Sequence, residues 1–404
     1  MLAGCVAFVS LLALGSQALA QESSSEDETE ESYAAFRSML LRIASMQSPS
    51  IGPAKLVTLS EGLNRPWGMA FLPDDRLLVT EKGGVLTVLD LQGNELVASV
   101  EGMPPVANRG QGGLLDIAID PDFDSDPWVY WSYSEAGTGD ASGLSGTAVA
   151  RGRLQSDRLE DVTVIYRQLP KLSGNGHFGS RLAFGVDETL FVTLGDRRSL
   201  GLVQDLETGI GKVVRINRDG SLPADNPEFA NGRSALWSLG HRNPQGAAIH
   251  PGTGELWLSE HGPQGGDEIN RVAGGANYGW PTISYGCEYS DPVGVDCRIG
   301  GGVHAPDFVE PVSYWVPVST APAGISFYTG AQFPEWRESL FVAALAGRSL
   351  WRIALSNGQE TGREALFTEL DERIRDVSEG PKGALYFLTD SGKLMSYSRS
   401  AAQD

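Results

Sequence analysis

Residues 55–400 predict an all-β fold, a six-bladed β-propeller with four-stranded antiparallel blades. Three observations lead there. Short alternating or apolar runs, bounded by Gly, Pro, Asp and Asn, fill the chain from about residue 55 onward, which is strand-and-turn chemistry. One phrase recurs six times along them: an apolar strand, a turn, then a second apolar strand. The composition agrees, since 50 Gly, 22 Pro and 41% hydrophobic residues describe a folded chain rich in turns and not a disordered or collagen-like one.

The copies run in order. Trp67-Gly68-Met69-Ala70-Phe71 leads to Leu77-Leu78-Val79, and Leu115-Asp116-Ile117-Ala118-Ile119 to Trp128-Val129-Tyr130. Arg181-Leu182-Ala183-Phe184 precedes Leu190-Phe191-Val192, and Gly246-Ala247-Ala248-Ile249 precedes Leu256-Trp257-Leu258. Gly324-Ile325-Ser326-Phe327 is followed by Leu340-Phe341-Val342, and Arg375-Asp376-Val377 by Leu385-Tyr386-Phe387. A single hairpin unit cannot bury both its faces. Radial stacking around a channel does so and leaves only short edges, although a sandwich or solenoid would also accommodate these strands. Propeller loops converge at one mouth, so the long connections at 135–178, 196–240 and 280–320 are where chemistry is expected.

Ahead of the repeats, residues 1–20 read as a secretory signal: an apolar run at 6–14, then Ala18-Leu19-Ala20 as a small-x-small cleavage site before Gln21. Leu2-Ala3-Gly4-Cys5 resembles a lipoprotein box, but its apolar run follows the cysteine instead of preceding it. Residues 21–54 form an acidic segment (Glu22, Glu26, Asp27, Glu28, Glu30, Glu31), with Phe36, Met39, Leu40 and Ile43 at the spacing of a short amphipathic helix over 33–46. No later run approaches the roughly 18–20 apolar residues of a membrane span. A net charge of −20 argues against nucleic acid or anionic lipid as the partner. The expected mature protein is periplasmic or secreted. There, Cys287 and Cys297 suit a disulfide closing a short loop better than a zinc site, since no histidine lies at ligand spacing beside them.

Five histidines make each one worth weighing. His177 lies in the glycine loop Ser173-Gly174-Asn175-Gly176-His177-Phe178-Gly179, free to project into a cleft. Asp196 lies at the far end of the next hairpin, where it would orient an imidazole, or equally pair with Arg197 or Arg198 as a turn residue. Arg242 and Asn243 precede an inner strand, and Arg373 and Arg375 alternate on one strand face. Arginines gathered at blade entrances suit an anion with carboxylates, or salt bridges to an acidic surface. Residues 262–268 make a carbonyl-rich turn ending in two acids, which reads as a hard-cation site or an ordinary β-turn.

Five segments in order resemble the soluble glucose/sorbosone dehydrogenases that use pyrroloquinoline quinone (PQQ), in particular their aldose sugar dehydrogenase branch. They are Arg109-Gly110-Gln111-Gly112-Gly113, Gly240-His241-Arg242-Asn243-Pro244-Gln245-Gly246, Asp267-Glu268-Ile269-Asn270, Asn277-Tyr278-Gly279-Trp280-Pro281 and Arg373-Ile374-Arg375-Asp376-Val377. The resemblance implies that His177 is a general base supported by Asp196, acting on the anomeric hydroxyl of an aldose. It implies PQQ contacts from Gln111, Arg242, Asn243, Tyr289, Arg373 and Arg375. It further implies a Ca²⁺ on the carbonyls of Gly262 and Pro263, a second at Glu268 and the backbone of Tyr278, and an external electron acceptor such as a cytochrome or a mediator. The chain departs from the family at Ala346, where members commonly carry a PQQ-binding lysine; Arg348, two residues on, is a candidate substitute because alternate strand residues share a face, and without one the resemblance implies weaker PQQ binding or a lost activity. A calcium-dependent hydrolase or a non-catalytic binding propeller would share the blades without needing the arginine cluster.

Overall fold

The computed structural model describes residues 54–399 except Val295 and Ala331. The signal segment, the acidic run and the helix expected over 33–46 lie outside the described residues. Six four-stranded antiparallel sheets form, with one small two-stranded hairpin, Glu228–Phe229 with Gly232–Arg233. The six-bladed propeller is thus as expected. Its innermost strands are Pro66–Phe71, Leu114–Ile119, Gly179–Phe184, Pro244–Ile249, Pro322–Phe327 and Ile374–Glu379 for blades 1 to 6, and they pack side by side in a ring.

The alternation of strand side chains explains why blades stack. In the second strand of blade 1, Leu77 and Val79 face Leu388 and Leu394 of blade 6, while Leu78 joins Trp131 and Val129 of blade 2. Tyr130 in turn packs with Leu190 and Val192 of blade 3. The core therefore lies between blades, and each blade buries both faces only because it has two neighbours. Closure is made by the first described strand, Ala54–Ser60, which pairs antiparallel with Leu394–Arg399 as the fourth strand of blade 6. That tie leaves no open seam between the first and last blades, the liability that an unpaired edge would carry.

One side chain spans the axis. Arg181, buried on the inner strand of blade 3, pairs with Asp116 of blade 2 at 2.8 Å and Asp376 of blade 6 at 2.9 Å. It also donates to the carbonyl of Gln245 in blade 4 at 2.6 Å and lies 4.3 Å from the ring of Trp67 in blade 1. Of the long connections, 135–178 contains the outer hairpin of blade 2, Ser145–Gln155 with Arg158–Arg167, ahead of the glycine loop. The 280–320 connection stays largely irregular and carries the Cys287–Cys297 disulfide.

Candidate active site

In each blade the segment before the first strand and the segment after the second strand reach the same rim, because a hairpin returns the chain to its starting end. His177 precedes Gly179–Phe184 and Asp196 follows Leu190–Leu194, and the hairpin brings them together: His177 Nδ1 lies 2.7 Å from Asp196 Oδ1. An ionised carboxylate only accepts, so Nδ1 carries the proton and Nε2 the lone pair. His177 sits at φ 52°, a left-handed conformation unusual for a non-glycine residue and of the kind found at functional sites. Its backbone N–H donates to Gln111 Oε1 at 2.7 Å, tying blade 2 to this loop.

Asp196 accepts from three donors. Besides His177 it accepts from the indole Nε1 of Trp280 at 2.8 Å and the backbone N–H of Arg198 at 2.8 Å. The alternative turn reading, a pair with an arginine side chain, is not what forms: the Arg197 guanidinium instead donates to the carbonyls of Gly176 at 2.9 Å and Ser145 at 2.7 Å. Burial holds His177 below its ordinary pKa, with Asp196 opposing and Arg242 and Arg198 reinforcing the shift, so the imidazole is neutral near pH 7.

Arg242 lies beside this pair. Its backbone N–H donates to Glu260 Oε2 at 2.8 Å, and its carbonyl accepts from the N–H of Asp196 at 2.7 Å. The guanidinium packs over Trp280 and donates to the carbonyl of Gly262 at 2.6 Å and to the hydroxyl of Tyr289 at 3.3 Å. Tyr289 itself is 71% exposed, at the lip of the cleft. Asn243 Oδ1 accepts from Gly179 N–H at 3.2 Å. Three buried polar atoms of this corner have no partner: Asn243 Nδ2, Arg242 Nε and His261 Nε2. Across the mouth, Arg373 and Arg375 share one carboxylate, each with Nε 2.9 Å from Asp390. Arg375 also donates to Gln245 Oε1 at 2.8 Å.

The turn at 262–268 is pinned by Asp267, whose carboxylate accepts from Gly262 N–H at 2.9 Å and, across to blade 5, from Thr320 N–H at 2.6 Å. Glu268, next along the strand, points the other way into a buried polar cavity that Glu260, Tyr278 and His304 also line. Burial, then the neighbouring Glu260, raises Glu268 well above the usual carboxylate range. Among the described residues no three His, Cys, Asp or Glu side chains converge as a metal set, so a cation here would depend on backbone carbonyls and water.

One expectation is corrected. Arg348 does not replace the absent lysine. The strand ends at Ala344 and a turn follows, so the face-sharing argument from residue 346 to 348 fails; Arg348 instead pairs with Asp371 at 2.8 Å. Sequence reasoning also missed Lys82, Trp280, Glu260 and Asp390. Lys82 follows the second strand of blade 1, donates to Asn108 Oδ1 at 3.0 Å, and is lowered in pKa first by burial and then by Arg65 and Arg375.

The family profile described as Glucose / Sorbosone dehydrogenase matches residues 63–396. The chain belongs to the glucose/sorbosone dehydrogenase family. That membership makes this glucose/sorbosone dehydrogenase family protein an oxidoreductase and sets aside the hydrolase and non-catalytic readings. It is 41% identical over 347 residues to the aldose sugar dehydrogenase YliI of Escherichia coli K12, covering 84% of this chain and 91% of that one. It is 30% identical over 416 residues to quinoprotein glucose dehydrogenase B of Acinetobacter calcoaceticus, covering 83% and 85%. The PQQ-bound aldose sugar dehydrogenase of Streptomyces coelicolor superposes with a TM-score of 0.69 at 31% identity, covering 87% of this chain and 99% of that one.

Proposed function

We propose that the protein is a PQQ- and calcium-dependent aldose dehydrogenase, which oxidises a sugar at its anomeric carbon to a lactone and passes the electrons to an external acceptor. The observation that carries this is the buried His177–Asp196 pair set beside donors without partners. Arg242 Nε and Asn243 Nδ2 are buried N–H groups aimed at nothing in the protein, and a polycarboxylate would satisfy them. The residues therefore fit PQQ, with Gln111, Arg242, Asn243, Tyr289, Arg373 and Arg375 holding it. Lys82 supplies, from blade 1, the cation that Ala346 does not supply from blade 5. The carbonyls of Gly262 and Pro263 fit a hard cation, with Gly262 already engaged by Arg242; Glu268 and the Tyr278 carbonyl fit a second.

The chemistry PQQ supplies when bound is two-electron acceptance at a quinone carbonyl, which calcium polarises. His177 Nε2 accepts the proton of the anomeric hydroxyl as C1 gives up its hydride. Asp196, fixed by Trp280 and by the backbone of Arg198, keeps the ring in the base tautomer and stabilises the imidazolium that forms. Export after cleavage behind Ala20 places the enzyme where an external acceptor can reach it. Titration of cofactor-free protein with PQQ and Ca²⁺, followed by absorbance and then by aldose-driven dye reduction, tests the reading. Saturable calcium-dependent binding, with turnover lost in His177→Ala, is expected; no PQQ binding at micromolar concentration would overturn it.

A further inference from the structure

Two consecutive arginines follow Asp196, both in left-handed backbone conformation at φ 50° and φ 58°. Such strain at non-glycine residues persists only where the surroundings impose it. The first, Arg197, is buried, lies 3.8 Å from the ring of Phe178 and holds the glycine loop from within through the carbonyls of Gly174 and Gly176. The second, Arg198, is exposed, and its guanidinium makes no hydrogen bond or ion pair with any described residue. It lies against Gly176, the neighbour of His177: a Cβ placed on Gly176 would meet Arg198 Nε at 3.2 Å and Cζ at 3.4 Å. The nearby carboxylate that would neutralise it, Asp196, is committed to His177, Trp280 and the backbone.

We propose that Arg198 is a specificity residue, and that the protein's preferred aldoses carry an anionic group, a carboxylate or phosphate, remote from the anomeric carbon. A pyranose with its anomeric hydroxyl at His177 extends its far end outward from the cleft. A guanidinium at the rim pairs with an oxyanion there by charge-assisted hydrogen bonds. The oxidation at C1 is unchanged; Arg198 adds a contact at the other end of the sugar. The inference rests on the dehydrogenase reading.

The test compares kcat/KM for glucuronate and glucose 6-phosphate with that for glucose, on PQQ- and calcium-loaded wild type and Arg198→Gln. The anionic-to-neutral ratio should fall about tenfold or more in Arg198→Gln, and in wild type it should decline with added salt. The glucuronate and phosphate arms separate carboxylate from phosphate preference. In parallel, calorimetric titration of the cofactor-free protein with glucuronate should give binding that Arg198→Gln loses. A ratio that is the same in both proteins, or glucuronate binding that is absent or indifferent to the substitution, overturns the inference. If no aldose of either kind reduces the dye, the dehydrogenase reading fails, and the glucuronate titration still decides the role of Arg198.

Discussion

Asp196 offers two oxygens to three donors that come from separate stretches of chain, and this fixes both the tautomer and the angle of the His177 ring. The pair itself was legible in the sequence, because a hairpin must return its far end to the rim. Trp280, 84 residues away, was not, because only packing between blades brings it in; Glu260, which orients Arg242, faces Pro244 across the hairpin of the same blade, so the same hairpin logic reaches it although the motif reading passed it over. The pair makes a pH prediction. As a base, His177 works only when neutral, so kcat/KM should rise with pH through its pKa, which burial sets below the ordinary 6.5 against the opposing pull of Asp196. In Asp196→Asn the opposing charge is gone, so the acid limb should move to still lower pH. Turnover at pH 8 should meanwhile drop about 10²-fold or more, because the tautomer is no longer enforced. A pH–rate profile on the loaded enzyme reads both, and a limb that stays put or moves upward would count against His177 as the base.

The strand pairs of the blades carry these residues, and their ends touch backbone to backbone. A Cβ on Gly195 would sit 2.0 Å from the carbonyl oxygen of His177, and one on Gly179 would sit 2.6 Å from the nitrogen of Gly195. The base loop and the acid loop are thus held at a separation that only glycine permits. Gly195→Ala should cost about 1–3 kcal/mol of stability, as overpacking does. It should also lower kcat by more than any loss of folded protein explains, since the clash falls on the base itself. Thermal melting alongside kcat for correctly folded, PQQ-loaded protein checks this; a fall in stability with kcat intact would show that the loops have slack. At this scale the hairpin cores were readable from periodicity. The closing strand was not assigned to blade 6, because its partner lies at the opposite end of the chain and its alternation is only half-buried. The failure at Arg348 has the same origin as a strand-end error: two residues of turn are enough to redirect a side chain.

Across the whole propeller, the axis is held by charge where most of the molecule is held by apolar packing. Arg181 reaches two carboxylates from different blades, and Arg375, one residue before Asp376, faces the candidate cofactor site, so the lock and the site share a strand. The inner-strand phrases named Asp116, Arg181 and Asp376 as repeat positions without revealing that they meet, because the meeting is a property of six strands closing into a ring. Burial raises Asp376 to about 6 even with Arg181 beside it, and raises Asp116 in the same direction. Replacing the arginine by leucine strands both carboxyls without a counter-charge, which should destabilise the fold by about 3–5 kcal/mol at pH 8. The sign of its pH dependence follows from the raised pKa values. A carboxyl harder to ionise in the folded than in the unfolded state contributes stability that is full below the unfolded pKa and is lost as pH rises through the folded one. Without Arg181 both folded values climb further, so that loss deepens. The deficit of Arg181→Leu against wild type should therefore be largest at pH 8 and shrink as pH falls below about 6 toward the unfolded carboxylate range near 4. Denaturant unfolding of both proteins at a series of pH values measures it, and a deficit that is constant or grows toward acid would mean the axis is held by something other than this ion triad.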